Sequence, residues 1–166
     1  MSFSGSFGVN YTRSFDASSV PSLPAHLGQI GSSPEGVFIF CKANEALTQY
    51  DWVSIKDDYT VNQMDNTEAA SAPRYFGAVQ TAALTNEYVW VWVGGDAGGG
   101  SGKGIKARFI NYTGKATAYT TATGGVADDA SGGSFVKLPN VVGLTTVGAT
   151  AAAAEVQSWG VLRIGN

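Results

Sequence analysis

Cysteine, histidine and charge are all scarce in this sequence, and each scarcity removes a class of function. Cys41 is the single cysteine of the 166 residues. No intramolecular disulfide is possible, and its place in the apolar run VFIFCK reads as a small buried hydrophobe. His26 is the single histidine, so a zinc centre built from several His and Cys ligands is excluded by count. It lies between Pro24 and Gly28 in an irregular stretch, a poor scaffold for a Ser/His/Asp triad. Charged residues make up 14% of the chain and the net charge is −3. A nucleic-acid partner needs a basic face, and the lysines and arginines here are scattered. No run of about 18 apolar residues exists, so no membrane-spanning helix is expected. The first residues, MSFSGSFGVNYTRSF, lack the basic start and apolar core of a secretory signal.

Acidic pairs occur at Asp57-Asp58 and Asp128-Asp129. Adjacent carboxylates on a strand point to opposite faces, and both pairs sit where turns are expected, so general acid–base chemistry is not read from them. ADDASGG, around the second pair, lacks the alternating ligand spacing of a calcium loop. No catalytic residue, cofactor or metal is expected.

The stretch GGDAGGGSGKG at 94–104 is the one place that imitates a nucleotide-binding loop. Aligned on Gly102-Lys103, it has Ala97 where the first glycine of a P-loop belongs and Gly104 where Ser or Thr must hold magnesium. Ile105, Ala107 and Phe109 then alternate with Lys106 and Arg108, which is the period of a strand. No helix N-terminus is expected to face the loop. The segment reads as a long hairpin loop whose glycines supply backbone freedom.

What the chain has in quantity is glycine, threonine, valine, alanine and aromatics, with turn signals between short apolar runs. Strands are expected at 37–43, 52–55, 59–64, 74–81, 88–93, 105–112, 117–121, 141–146 and 158–164. The alanine-rich ATAAAAE at 149–155 favours a helical turn or two. The expected fold is all-β, a jelly-roll, β-sandwich or barrel-like body over 36–166 with an extended N-terminal arm over 1–35. The arm has prolines that break regular structure, yet Phe3, Phe7, Tyr11 and Phe15 recur through it. Such a segment lies against a surface, whether its own body, a neighbouring copy or another protein. Removal of residues 1–34 is expected to leave a folded β-body.

The strands VFIFCKA and YVWVWV are apolar on both faces. In the second, Tyr88, Trp90 and Trp92 oppose Val89, Val91 and Val93. Such a strand is either central and covered, or it turns one face to another subunit. Phe3, Phe7, Tyr11, Phe15, Trp90 and Trp92 are therefore the candidate protein-contact residues. Gly36–Ile55 and Gly104–Ala122 also share a plan of strand, polar turn and strand. Without a residue-level repeat, the shared plan reads as two similar hairpins rather than a duplication.

The order EGVFIFCKANEALTQYDWVSI, RYFGAVQTAALTNEYVWVWVGG, KATAYTTATGGVADD and VVGLTTVGATAAAAEVQSWGVLRI resembles the capsid cement, or head decoration, proteins of tailed bacteriophages. The resemblance covers about residues 35–166 and lies in pattern and order. It implies a non-enzymatic structural virion protein on the outer capsid surface. Its partners would be the major capsid protein and other copies of itself, as a homotrimer ahead of a homodimer. The alternative is a carbohydrate-binding or receptor-binding β-module of a fibre, with Trp52, Trp90, Trp92 and Trp159 as an aromatic platform. The two differ in one respect: a sugar reader exposes those rings, and a cement protein buries them.

Overall fold

The computed structural model describes residues 9–16, 18, 23–71, 75–95, 104–160 and 162–163. The described strands fall into two six-stranded sheets, and one short helix lies between strands of the first. The first sheet holds β1 (Ile30–Ser33), β2 (Gly36–Ala43), β3 (Trp52–Ile55), β4 (Thr60–Gln63), β5 (Tyr75–Val79) and β6 (Tyr88–Trp92). Its order is β1-β2-β4-β3-β5-β6, and β2 also pairs with β6, so β2 to β6 close into a ring. β1 pairs with the first half of β2, and β4 takes the same edge further along, at Lys42 and Ala43.

Closure explains the two-faced strands. Alternate residues point into and out of a barrel. Ile39, Cys41, Val53, Ile55, Val61, Val79, Val89 and Val91 form one buried cluster inside the ring. A ring this narrow has room only for small and branched side chains. It also brings strands together closely enough that a methyl group at Gly77 would collide with the Trp92 carbonyl oxygen and the Val91 side chain. The opposite faces carry Phe38, Phe40, Trp52, Phe76, Trp90 and Trp92, which belong to a second cluster outside the ring.

That outer layer is covered from three directions. The N-terminal segment lays Tyr11 on Phe38, with stacked ring centroids 4.8 Å apart, and Phe15 edge-on to Phe40 at 5.9 Å. Phe15 and Tyr88 exchange both backbone hydrogen bonds, each 2.8 Å. Val9, Phe15 and Ala25 are buried, so the described part of the arm packs on its own body and contributes the edge strand β1. Residues 1–34 therefore supply contacts to the core of the body. From the other side, Trp52 meets Phe109 of the second sheet at 5.9 Å. Finally, the C-terminal segment returns: Leu162 is fully buried, its N–H donates to Val93 O (2.8 Å), and its carbonyl accepts from Phe76 N–H (3.3 Å).

The second sheet repeats the first. It holds β7 (Lys106–Phe109), β8 (Ala118–Thr120), β9 (Ala127–Asp128), β10 (Lys137–Leu138), β11 (Val141–Gly143) and β12 (Ala152–Ser158), in the order β10-β8-β9-β7-β12-β11. Its two end strands, β10 and β11, are joined by Pro139-Asn140, so the sheet closes through one interrupted strand that corresponds to β5. The correspondence extends to register. The parallel pair Ala43↔Val61 matches Phe109↔Ala127, and the antiparallel pair Ile55↔Val61 matches Thr120↔Ala127. Val79↔Val91 matches Gly143↔Val156. The isolated bridge Leu47↔Ala83 matches Tyr112↔Val147. Tyr50, at φ 71°, donates its N–H to Val79 O, and Lys115, at φ 67°, donates to Gly143 O. The shared plan in the sequence is thus a duplicated barrel topology rather than two similar hairpins.

Side-chain volume is redistributed between the copies. Where the first barrel has Ala43, Leu47 and Val79, the second has Phe109, Tyr112 and Gly143. A methyl group at Gly143 would lie 2.8 Å from Tyr112 Cε1 and 3.1 Å from the Phe109 ring. Two aromatics fill the layer only because a glycine faces them. The Tyr112 hydroxyl is satisfied inside this barrel: it donates to Ala116 O and accepts from Gly143 N–H at 2.9 Å.

Two expected elements differ. ATAAAAE runs into strand β12 rather than a helix, because Ala152, Ala153, Ala154 and Glu155 pair with β7 and alanine's helical preference yields to that ladder. The strand expected at 158–164 ends at Ser158, and the chain then turns back to the first barrel.

Candidate interaction surface

The seam between the barrels is the most polar buried region described. Asp51 is fully buried just before β3, and Arg108 on β7 reaches it with Nη1 at 2.6 Å from Oδ1. Oδ2 accepts the Thr48 N–H at 2.7 Å and the Gln63 side-chain amide at 2.8 Å. Burial is the largest influence on this carboxyl and raises its pKa above the ordinary value; the Thr48, Arg108 and Gln63 hydrogen bonds pull the other way. Close by, Gln80 acts as a length of strand: its Nε2 donates to Lys106 O at 2.9 Å, and its Oε1 accepts Lys106 N–H at 3.0 Å. Arg108 N–H donates to Tyr50 O, also 2.9 Å. These bonds satisfy the edge of β7 with groups from the first barrel, as Gln29 O and Tyr59 O do for Phe40 N–H and Lys42 N–H on β2. The same bonds hold the halves together, while Trp52 Nε1 and Ser158 Oγ are buried there without a hydrogen-bond partner among the described residues.

The residues expected to meet a partner are distributed differently from the expectation. Trp90, Trp92 and Phe15 are 5%, 1% and 8% exposed, which places them in the chain's own core. Trp92 Nε1 also donates internally, to Glu35 O at 3.1 Å. Burial of these three rings within one chain favours the covered reading of β6 over a partner contact at Phe15, Trp90 and Trp92. Tyr11 is half-buried on Phe38. Phe3 and Phe7 lie outside the described residues, as does 96–103 of the glycine-rich loop. β7 follows that loop, as its period of two predicts.

The polar candidates serve local structure. Asp58 Oδ1 accepts from Thr60 N–H (3.0 Å) and Oγ1–H (2.7 Å), which holds its pKa below the usual carboxylate range. Asp128 Oδ1 accepts from Ala130 N–H, and Asp129 Oδ2 from Thr113 N–H. Among the described residues, no three His, Cys, Asp or Glu side chains come together as metal ligands. No described helix is long and apolar enough to cross a membrane.

Among the described residues, the exposed large apolar side chains are Leu27, Ile30, Leu84 and Trp159. Trp159 stands apart in size, and it follows β12 at the point where the chain crosses between the barrels. Its sequence signal is weak, because SWGVL reads as another strand. The glycine after the tryptophan is the one hint that the chain leaves the sheet there. No protein-family model and no curated protein matches the chain.

Proposed function

We propose that the chain is a structural virion protein, a cement or decoration protein that binds the outer surface of a bacteriophage head across capsid subunits and stabilises it. The sequence resemblance over about residues 35–166 suggests the role. The observation that carries it over the alternative is the burial of Trp52, Trp90 and Trp92 at 0%, 5% and 1% exposure. A carbohydrate-binding module needs several exposed, coplanar rings, and three of the four in the supposed platform are committed to packing. A protein that binds the assembled shell in preference to its free subunits stabilises the shell by mass action. Copies that also associate with one another on the lattice add multivalency.

The test uses heads of the phage whose genome carries this coding sequence, prepared without the chain. Purified chain should co-sediment with expanded heads to a fixed copy number and raise the temperature at which they rupture. Absence of saturable binding contradicts the proposal. Light scattering of the free chain separates a trimer from a dimer.

A further inference from the structure

The tryptophans divide three to one, and the odd one is displayed. Trp159 is 64% exposed, yet its backbone is held from both barrels. Its N–H donates to Asn140 O at 3.0 Å, in the turn joining β10 to β11. The next carbonyl, Gly160 O, accepts the Gly95 N–H at 3.1 Å, just past β6. Further along, Leu162 is locked into the outer layer of the first barrel. The ring is thus carried on a backbone pinned at both sides, and an indole has few rotatable bonds to lose. Fixing it in a complex costs little conformational entropy. The two carbonyls beside it are already occupied by the chain's own N–H groups. The Trp159 side chain offers a broad apolar ring with one N–H donor. That chemistry fits a protein pocket with apolar walls and an acceptor at its rim.

Building on the decoration reading above, we infer that Trp159 is the anchor of the capsid interface, its indole entering an apolar pocket on the outer face of a capsid subunit. Large aromatics at the centre of an interface carry a disproportionate share of its affinity. The residues expected from the sequence to do this, Trp90 and Trp92, are replaced in the role by the one tryptophan left outside.

The experiment compares wild type, Trp159→Ala and Leu84→Ala, the last as a second exposed apolar residue, 68% exposed. Both variants should keep the wild-type melting temperature. Trp159→Ala should weaken binding to expanded heads by about tenfold or more, and Leu84→Ala should leave it unchanged. In the wild type, the acrylamide-quenchable part of the tryptophan emission should disappear on binding to heads, a readout that needs no variant. Wild-type affinity in Trp159→Ala, or continued quenching in the bound chain, overturns the inference and leaves the decoration reading standing. Failure of the wild type itself to bind heads removes both. Protection of Trp159 by a panel of soluble oligosaccharides, with none from heads, reassigns the ring to a sugar and also overturns the inference.

Discussion

Individual residues show how burial governs chemistry here. Cys41 sits inside the first barrel with no exposed surface, and burial pushes its thiol pKa up. A neutral, enclosed thiol is a poor nucleophile. Cys41 should react with a thiol reagent such as DTNB only at the rate of unfolding, and immediately in denaturant; fast labelling of the native protein would place it elsewhere. Asp51 gives a pH dependence whose sign can be worked out. Its folded pKa lies above the unfolded one, because loss of hydration outweighs the donors around it. Its contribution to stability is therefore complete below the unfolded value, about 3.9, and is lost as pH rises through the folded value. Wild type should gain stability relative to Asp51→Asn as the solution is acidified from neutrality towards pH 4. The opposite trend in melting temperatures would mean that Arg108, Thr48 and Gln63 outweigh burial. Cys41 as a buried hydrophobe was legible in its apolar run. The Asp51–Arg108 pair was not, since partners 57 residues apart in the chain leave no local pattern.

Within the elements, alternation carried most of what the sequence revealed. YVWVWV and VFIFCKA were legible as strands with two buried faces, and ring closure supplies the reason. Alternation does not say what covers each face, so it does not distinguish a partner from the chain's own arm and C-terminal segment, which share one buried cluster with Trp90 and Trp92. The duplication was hidden for a related reason. The copies conserve hydrogen-bond register while exchanging side chains, Ala43, Leu47 and Val79 against Phe109, Tyr112 and Gly143. That exchange can be tested. Gly143→Val should destabilise the protein by about 1–3 kcal/mol through overpacking. Phe109→Ala, which restores the small residue of the first barrel, costs stability by itself, but the double variant should lose less than the sum of the two single losses, a coupling that urea melts of all three variants would reveal. Simple additivity would argue against a shared interior layer.

At the scale of the whole molecule, the halves depend on segments that reach across them. Removing residues 1–34 takes away β1 and the cover over Phe38, Phe40 and Trp90. The truncated chain should melt well below wild type and bind ANS; an unchanged melting curve would return the arm to the role of a separable tail. Leu162→Ala should cost about 2–4 kcal/mol, because it empties a fully buried site where the C-terminal segment meets the first barrel. With the core closed in this way, the exposed indole at the seam becomes the feature through which a structural role would act. The most direct measurement is electron cryomicroscopy of heads assembled without the chain and then incubated with it. Two small β-barrels side by side on the outer surface are predicted, with Trp159 directed at a capsid subunit. Heads that remain bare, or density confined to the interior or the tail, would contradict that placement.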